Sequence, residues 1–107
     1  MKNFILIFKG GAGMASNDEE RKQEIEKWTH WYTELGSHLV DPGFPFIPKT
    51  EKKITKVKVE ISKLGATGYT IIKFGNMNEA IEFSKSCPVL ENGGEVHVYE
   101  QMEMQGM

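Results

Sequence analysis

A single cysteine, Cys87, excludes an intramolecular disulfide and any multi-cysteine metal site. An excess of charge of one sign is also missing. Thirteen Lys and Arg against fifteen Asp and Glu leave a net charge of −2, far from the basic face that marks a nucleic-acid binder, so no nucleic-acid partner is expected. No apolar run approaches the ~20 residues that cross a bilayer. The opening MKNFILIF is too short for a secretory signal and lacks its small-residue cleavage site. No membrane partner is expected, and the cytoplasm is the default location. The three histidines are scattered without a His/Cys/acidic cluster, which gives no metal signature. Gly10, Gly11 and Gly13 lack both the G-x-G-x-x-G spacing and the Lys-Ser/Thr of a phosphate loop, so no cofactor is expected either.

What remains is ordinary in amount and informative in order. A 39% apolar, 26% charged chain of 107 residues is large enough for one domain, residues 1–107, with its own core. Residues from about 102 onward, with Met102, Met104 and Met107, read as a tail or a dimer contact. Phe4 to Phe8 is continuously apolar and suits a central strand covered on both faces. Ser16 with Glu19 is a capping-box pattern, and the acidic Asp18, Glu19 and Glu20 suit a helix N-terminus. The spacing predicts a helix from about Asn17 to Leu35, with Ile25, Trp28, Tyr32 and Leu35 on one face, Trp31 beside them, and Gly36 as the stop. His38 to Val40 begins a short strand, and Asp41-Pro42-Gly43 is a turn. Phe44 to Pro48 is Pro-broken and apolar, suited to covering an edge or a cleft. The alternation of Ile54 to Ile61 predicts one half-exposed, lysine-bearing strand near a sheet edge. Tyr69 to Phe74 is a β-branched and aromatic strand ended by Gly75. Asn76 and Glu79 open a second helix that Pro88 stops. After the turn Asn92-Gly93-Gly94, the last strand sends Val96 and Val98 one way and His97, Tyr99 and Gln101 the other.

Strand, helix, strand, strand, helix, strand is the order of the split βαβ, ferredoxin-like arrangement. The expected fold is α+β: an antiparallel sheet with both helices on one face and the first and third main strands at its centre. The other face has no cover inside the chain, and a homodimer packing sheet against sheet would bury it. The strand MKNFILIF, the residues Trp28, Trp31 and Leu35-Gly36 that close the first helix, and the strings GYTIIKF, NEAIEFSKSCP and GGEVHVYE resemble the YCII-related family, which includes relatives carrying a DGPF motif. The likeness covers most of the chain and is poorest from about Phe44 to Ala66. It implies a dimeric α+β barrel. The DGPF tetrapeptide itself is absent, Ala66-Thr67-Gly68 standing about where it would precede the third main strand. The helix position that carries a histidine in the enzyme-like branch falls near Ile25.

The candidate chemistry rests on few residues. His38 with Asp41 three residues on would make a base held in one tautomer, although the two need not face each other. His97 and Tyr99 share a strand face and would contact a ligand in a pocket, or else sit on the wet face of an edge strand. Trp28, Trp31 and Tyr32 form a stripe that is either core or the lining for a flat apolar ligand, with Phe44 and Phe46 as its lid. His30 reads as a surface residue, and Cys87 as a buried, inert thiol. Two functions follow. One is a cytoplasmic homodimer that binds a small, partly apolar molecule between sheet and helices, with cofactor-free proton transfer of isomerase or lyase type carried by His38 or His97 and Asp41. The other is a non-catalytic module for self-association or protein binding.

Overall fold

In a computed structural model, which describes residues 1–11 and 17–103, six strands and two α-helices make an α+β, ferredoxin-like fold. They are β1 (Lys2–Lys9), α1 (Asp18–Leu35), β2 (Leu39–Asp41), β3 (Lys52–Ile54), β4 (Val59–Ile61), β5 (Ala66–Phe74), α2 (Met77–Ser84) and β6 (Glu95–Glu100). Single 3-10 turns, Gly36–His38 and Pro88–Asn92, follow the helices. The main sheet runs β2-β5-β1-β6 and every pairing in it is antiparallel. The expected first and third main strands are its centre.

Alternation on the central strands sorts the core. Phe4, Leu6 and Phe8 of β1 and Thr70, Ile72 and Phe74 of β5 are buried under the helices, joined by Trp31, Leu35, Ala80, Cys87 and Val89. Each large apolar side chain removed from water there contributes about 1.5–3 kcal/mol. Trp31 donates its indole N–H to Ser86 Oγ at 3.0 Å, and the buried Thr70 hydroxyl donates to Pro42 O at 3.0 Å, so neither polar group is orphaned.

The helix ends follow local chemistry. Asn76 Oδ1 accepts the Glu79 N–H at 2.9 Å, the first bond of a capping box, while Glu79 Oε2 accepts the N–H of Gly75, one residue before the N-cap, at 3.2 Å. At α1 the N-cap is Asn17, whose side chain accepts the Glu20 N–H at 2.8 Å. The Ser16–Glu19 pattern involves Ser16, which lies outside the described residues, as do Gly13, Met104 and Met107. Gly36, at φ +52°, ends α1 as expected.

Two expectations need correction. Ile25 was placed on the buried face of α1 but is 61% exposed. Only Trp31 and Leu35 of that helix are fully buried, because α1 meets the sheet through its C-terminal half. Ile54 to Ile61 is not one edge strand but part of a hairpin, β3 and β4, which among the described residues pair only with each other. Its turn has no Gly, Pro or Asn; Thr55 closes it instead. The Thr55 N–H donates to Lys58 O at 2.9 Å, and the Thr55 hydroxyl accepts the Lys58 N–H at 3.2 Å. The base of this hairpin is pinned by Glu51, whose carboxylate accepts from the Ser62 hydroxyl and from the Leu64 and Gly65 N–H groups, both at 2.9 Å.

Those hydrogen bonds, the Ser62 one first, hold the Glu51 carboxyl below its ordinary value of 4.5. A depressed carboxyl stabilises the fold above its unfolded pKa and loses that contribution as pH falls through the folded value. The Leu64 and Gly65 amide resonances should therefore titrate together with a midpoint below 4.5 in an NMR pH series. Gly43 sits at φ +65° with its α-carbon against the Tyr69 carbonyl. Gly43→Ala should cost more than the ~1–2 kcal/mol of left-handed strain alone, because a Cβ there overlaps that oxygen. Thermal unfolding should show a drop in Tm of about 8 °C or more.

Candidate functional site

The helices lie on one side of the sheet, and the shortest dimension of the molecule is 20 Å, about one sheet and one helix deep. The opposite face is open, and strand register lays it out as a grid. Ile5 of β1 pairs with Ile71 of β5 on one side and with Tyr99 of β6 on the other; Ile7 pairs with Tyr69 and with His97. Ile5, Ile7, Ile71 and Tyr69 are half-buried, and His97 and Tyr99 are exposed. Opposed side chains in an antiparallel pair are in contact range. The result is an aliphatic floor on β1 flanked by a phenol on one strand and an imidazole on another, about 10 Å apart across two strand spacings.

A carboxylate holds each polar tip. Tyr69 donates its hydroxyl to Asp41 Oδ2 at 3.0 Å, while Asp41 Oδ1 accepts the Gly43 N–H at 2.9 Å. The hydrogen bond to that carboxylate, and then its charge, raise the Tyr69 pKa above its ordinary value, since a phenolate beside Asp41 would be repelled. On β6, His97 Nε2 lies 2.9 Å from Glu95 Oε1. The imidazole hydrogen bond, and then its charge, hold the Glu95 carboxyl below its ordinary value. The two residues are i and i+2 on one strand, so they share a face. Phe46, anchored by its N–H to Thr67 O at 2.9 Å, brings its ring within 6.2 Å of Tyr69. At the rim, Tyr99 and His97 also line a groove between β6 and α2 with Met77, Ile81 and Leu90.

The residues singled out in the sequence thus separate. Asp41, His97 and Tyr99 share the open face but stand at its opposite edges, Asp41 on β2 and the other two on β6. His38 does not join Asp41. Its Nδ1 is hydrogen-bonded to Lys73 O at 2.8 Å and its ring stacks on Phe74 at 4.3 Å, on the helix side. Asp41 orients Tyr69 instead, because a register shift in β2 between Leu39 and Asp41 re-aims the strand end. Trp28, Trp31 and Tyr32 belong to a continuous aromatic core: Phe8–Trp28 at 5.4 Å, Trp28–Trp31 at 5.8 Å and Trp31–Phe83 at 5.6 Å. Trp31 is 2% exposed, which leaves it no face for a ligand in this conformation. Tyr32 donates to Pro42 O at 3.3 Å and its pKa is raised by burial, so it ties α1 to the β2 turn. Phe44 is 83% exposed. His30 is a surface residue, 2.8 Å from Glu34 one helical turn on.

Tyr69, Glu95 and the floor residues Ile5, Ile7 and Ile71 were missed. The Glu95–His97 spacing was visible as a same-face pair, whereas nothing local connects Tyr69 to Asp41 across 28 positions. Among the described residues no group of three or more His, Cys, Asp or Glu is placed to hold a metal ion, and no helix is long and apolar enough to cross a membrane. Gly11 serves packing: a Cβ there would come within 2.7 Å of the Val89 side chain and carbonyl. No family model matches this chain, and no curated protein matches it.

Cys87 stands apart from the open face, 1% exposed in the core, its thiol pKa pushed up to about 12 by burial. The native protein should resist iodoacetamide at neutral pH over hours and be alkylated once denatured, as followed by intact mass.

Proposed function

We propose that this protein is a cytoplasmic homodimer of the YCII-related, dimeric α+β barrel type, whose two open sheet faces meet and enclose a site for a small, partly apolar molecule. The observation that carries this reading is the grid on the open face. A two-layer chain that leaves Ile5, Ile7 and Ile71 uncovered exposes the kind of contiguous apolar surface that soluble proteins use for association or ligands. The same surface is framed by two carboxylate-anchored polar tips, Tyr69–Asp41 and His97–Glu95. Such a setting suits a ligand with an aliphatic or flat body and a polar group at each end.

If chemistry follows binding, His97 is the residue to carry it. A carboxylate fixes one ring nitrogen, and the other accepts or returns a proton, which is the arrangement that cofactor-free isomerisation requires. The engagement of Asp41 by Tyr69 rather than by His38 removes the second proposed base pair. That loss favours a second reading, in which the barrel binds or self-associates without catalysis.

A thermal-shift screen of small carboxylic acids, phenols and enolisable ketones, with mass by light scattering alongside, tests both. Binding to the folded state must raise Tm. A dimer with a reproducible shift for one chemical class, lost in His97→Gln and in Tyr69→Phe without loss of the dimer, is the expected result. A dimer with no shift for any class would leave only self-association, and a monomer at every concentration would overturn the barrel.

A further inference from the structure

The open sheet face is not the largest concentration of uncovered apolar side chains. Among the described residues, eight of the fifteen strongly exposed large hydrophobic side chains fall between residues 44 and 64. That is a fifth of the chain, so they form a patch rather than the ordinary scatter. The β3–β4 hairpin is its centre. Ile54 pairs with Val59, and Ile61, opposite Lys52, stands two residues further on the same face; the three apolar residues are 76%, 66% and 73% exposed, and Val57 at the turn is 90% exposed. The other face carries Lys53, paired with Lys58 around Glu60 at 3.4 and 3.2 Å. The hairpin is thus amphipathic, with a mainly apolar face left exposed among the described residues. A two-stranded hairpin is marginal by itself in water, yet this one is held out from the body on a deliberate brace at Glu51.

Charge says what it meets. Residues 49–63 hold six lysines and two glutamates, a net of +4. The other 92 residues hold seven Lys and Arg and thirteen Asp and Glu, a net of −6. Lys49, Lys52, Lys56 and Lys63 make no ion pair among the described residues. A basic arm on an acidic body attracts the body of another copy, and opposite potentials steer and orient such an encounter.

We propose that the β3–β4 hairpin is a clasp for a second copy of this chain, laying its apolar face on the partner's surface with its lysines against the partner's carboxylates. The inference rests on the homodimer proposed above and adds a second contact to it, outside the sheet faces. In such a dimer each arm covers its apolar face by exchange, and both arms act at once because the contact is two-fold.

The test uses the full chain. Two variants change only exposed arm residues: Ile54→Ser with Val59→Ser and Ile61→Ser, and Lys52→Glu with Lys56→Glu and Lys63→Glu. Sedimentation equilibrium should show the dimer Kd raised at least tenfold in each, and the wild-type Kd rising with salt between 50 and 500 mM. Circular dichroism should show the body unchanged. A photo-crosslinking residue at position 57 in a mixture of ¹⁴N and ¹⁵N protein should give mixed-isotope crosslinked pairs. A dimer with unchanged Kd in both variants, and crosslinks only within one isotope, overturns the clasp and leaves the sheet-face dimer standing. A monomeric wild type overturns both. Arm-dependent binding to a short DNA duplex, with no effect of the arm on the dimer, would replace the second copy by a nucleic acid and also overturn the clasp.

Discussion

Two helices can cover one face of a four-stranded sheet and no more. Here α1 and α2 share the side on which Phe4, Leu6, Phe8, Ile72 and Phe74 point, and among the described residues every buried side-chain polar atom finds a partner. The strands alternate, so filling one face necessarily sends Ile5, Ile7, Tyr69, Ile71, His97 and Tyr99 to the other. The open face is therefore a consequence of how the core is built, and each functional reading of this chain begins from it. A one-residue slip in the β1–β5 register would exchange the two sets, which is why packing and site cannot be altered independently.

The same geometry separates structural aromatics from chemical ones. The rings on the helix side, Trp28, Trp31, Phe83 and Phe74, contact one another in sequence, and His38 ends the chain stacked on Phe74. Their polar atoms are spent on the fold: the Trp31 indole on Ser86, the Tyr32 hydroxyl on Pro42, the His38 imidazole on Lys73 O. On the open side, Tyr69 and His97 are each held by a carboxylate and reach toward solvent or a second molecule. The exposed His97–Glu95 pair adds little to stability, so orientation is its larger physical effect.

The arm between residues 49 and 65 follows a different rule from the body. Its apolar side chains are outside, its charge is opposite in sign to that of the remainder, and its strands join no other sheet. Glu51 gathers three donors at its base and so fixes the position from which the hairpin departs. Body and arm together describe a chain with two uncovered apolar surfaces and complementary charge.

Much of the fold was legible because its signals are local. The capping of α2 by Asn76 and Glu79, the stop at Gly36 and the alternation of Val96 and Val98 each depend on residues within four positions of one another. The order of those elements was enough for a ferredoxin-like sheet with β1 and β5 central. The hairpin was misread as one strand because a Thr55 hydroxyl, not a glycine or proline, closes its turn. Ile25 was misplaced because periodicity gives a helix its apolar face but not how far along that face the sheet extends. The site was less legible still. His38 and Asp41 are close in sequence, yet a register shift turns them to different partners, while Asp41 and Tyr69 meet across 28 residues. The sequence by itself determined the elements, their order and the two-layer class, since those follow from short-range backbone chemistry and hydrophobic period. Only the tertiary structure decided which polar groups meet, because that depends on register and strand order, which bring together residues that no spacing connects.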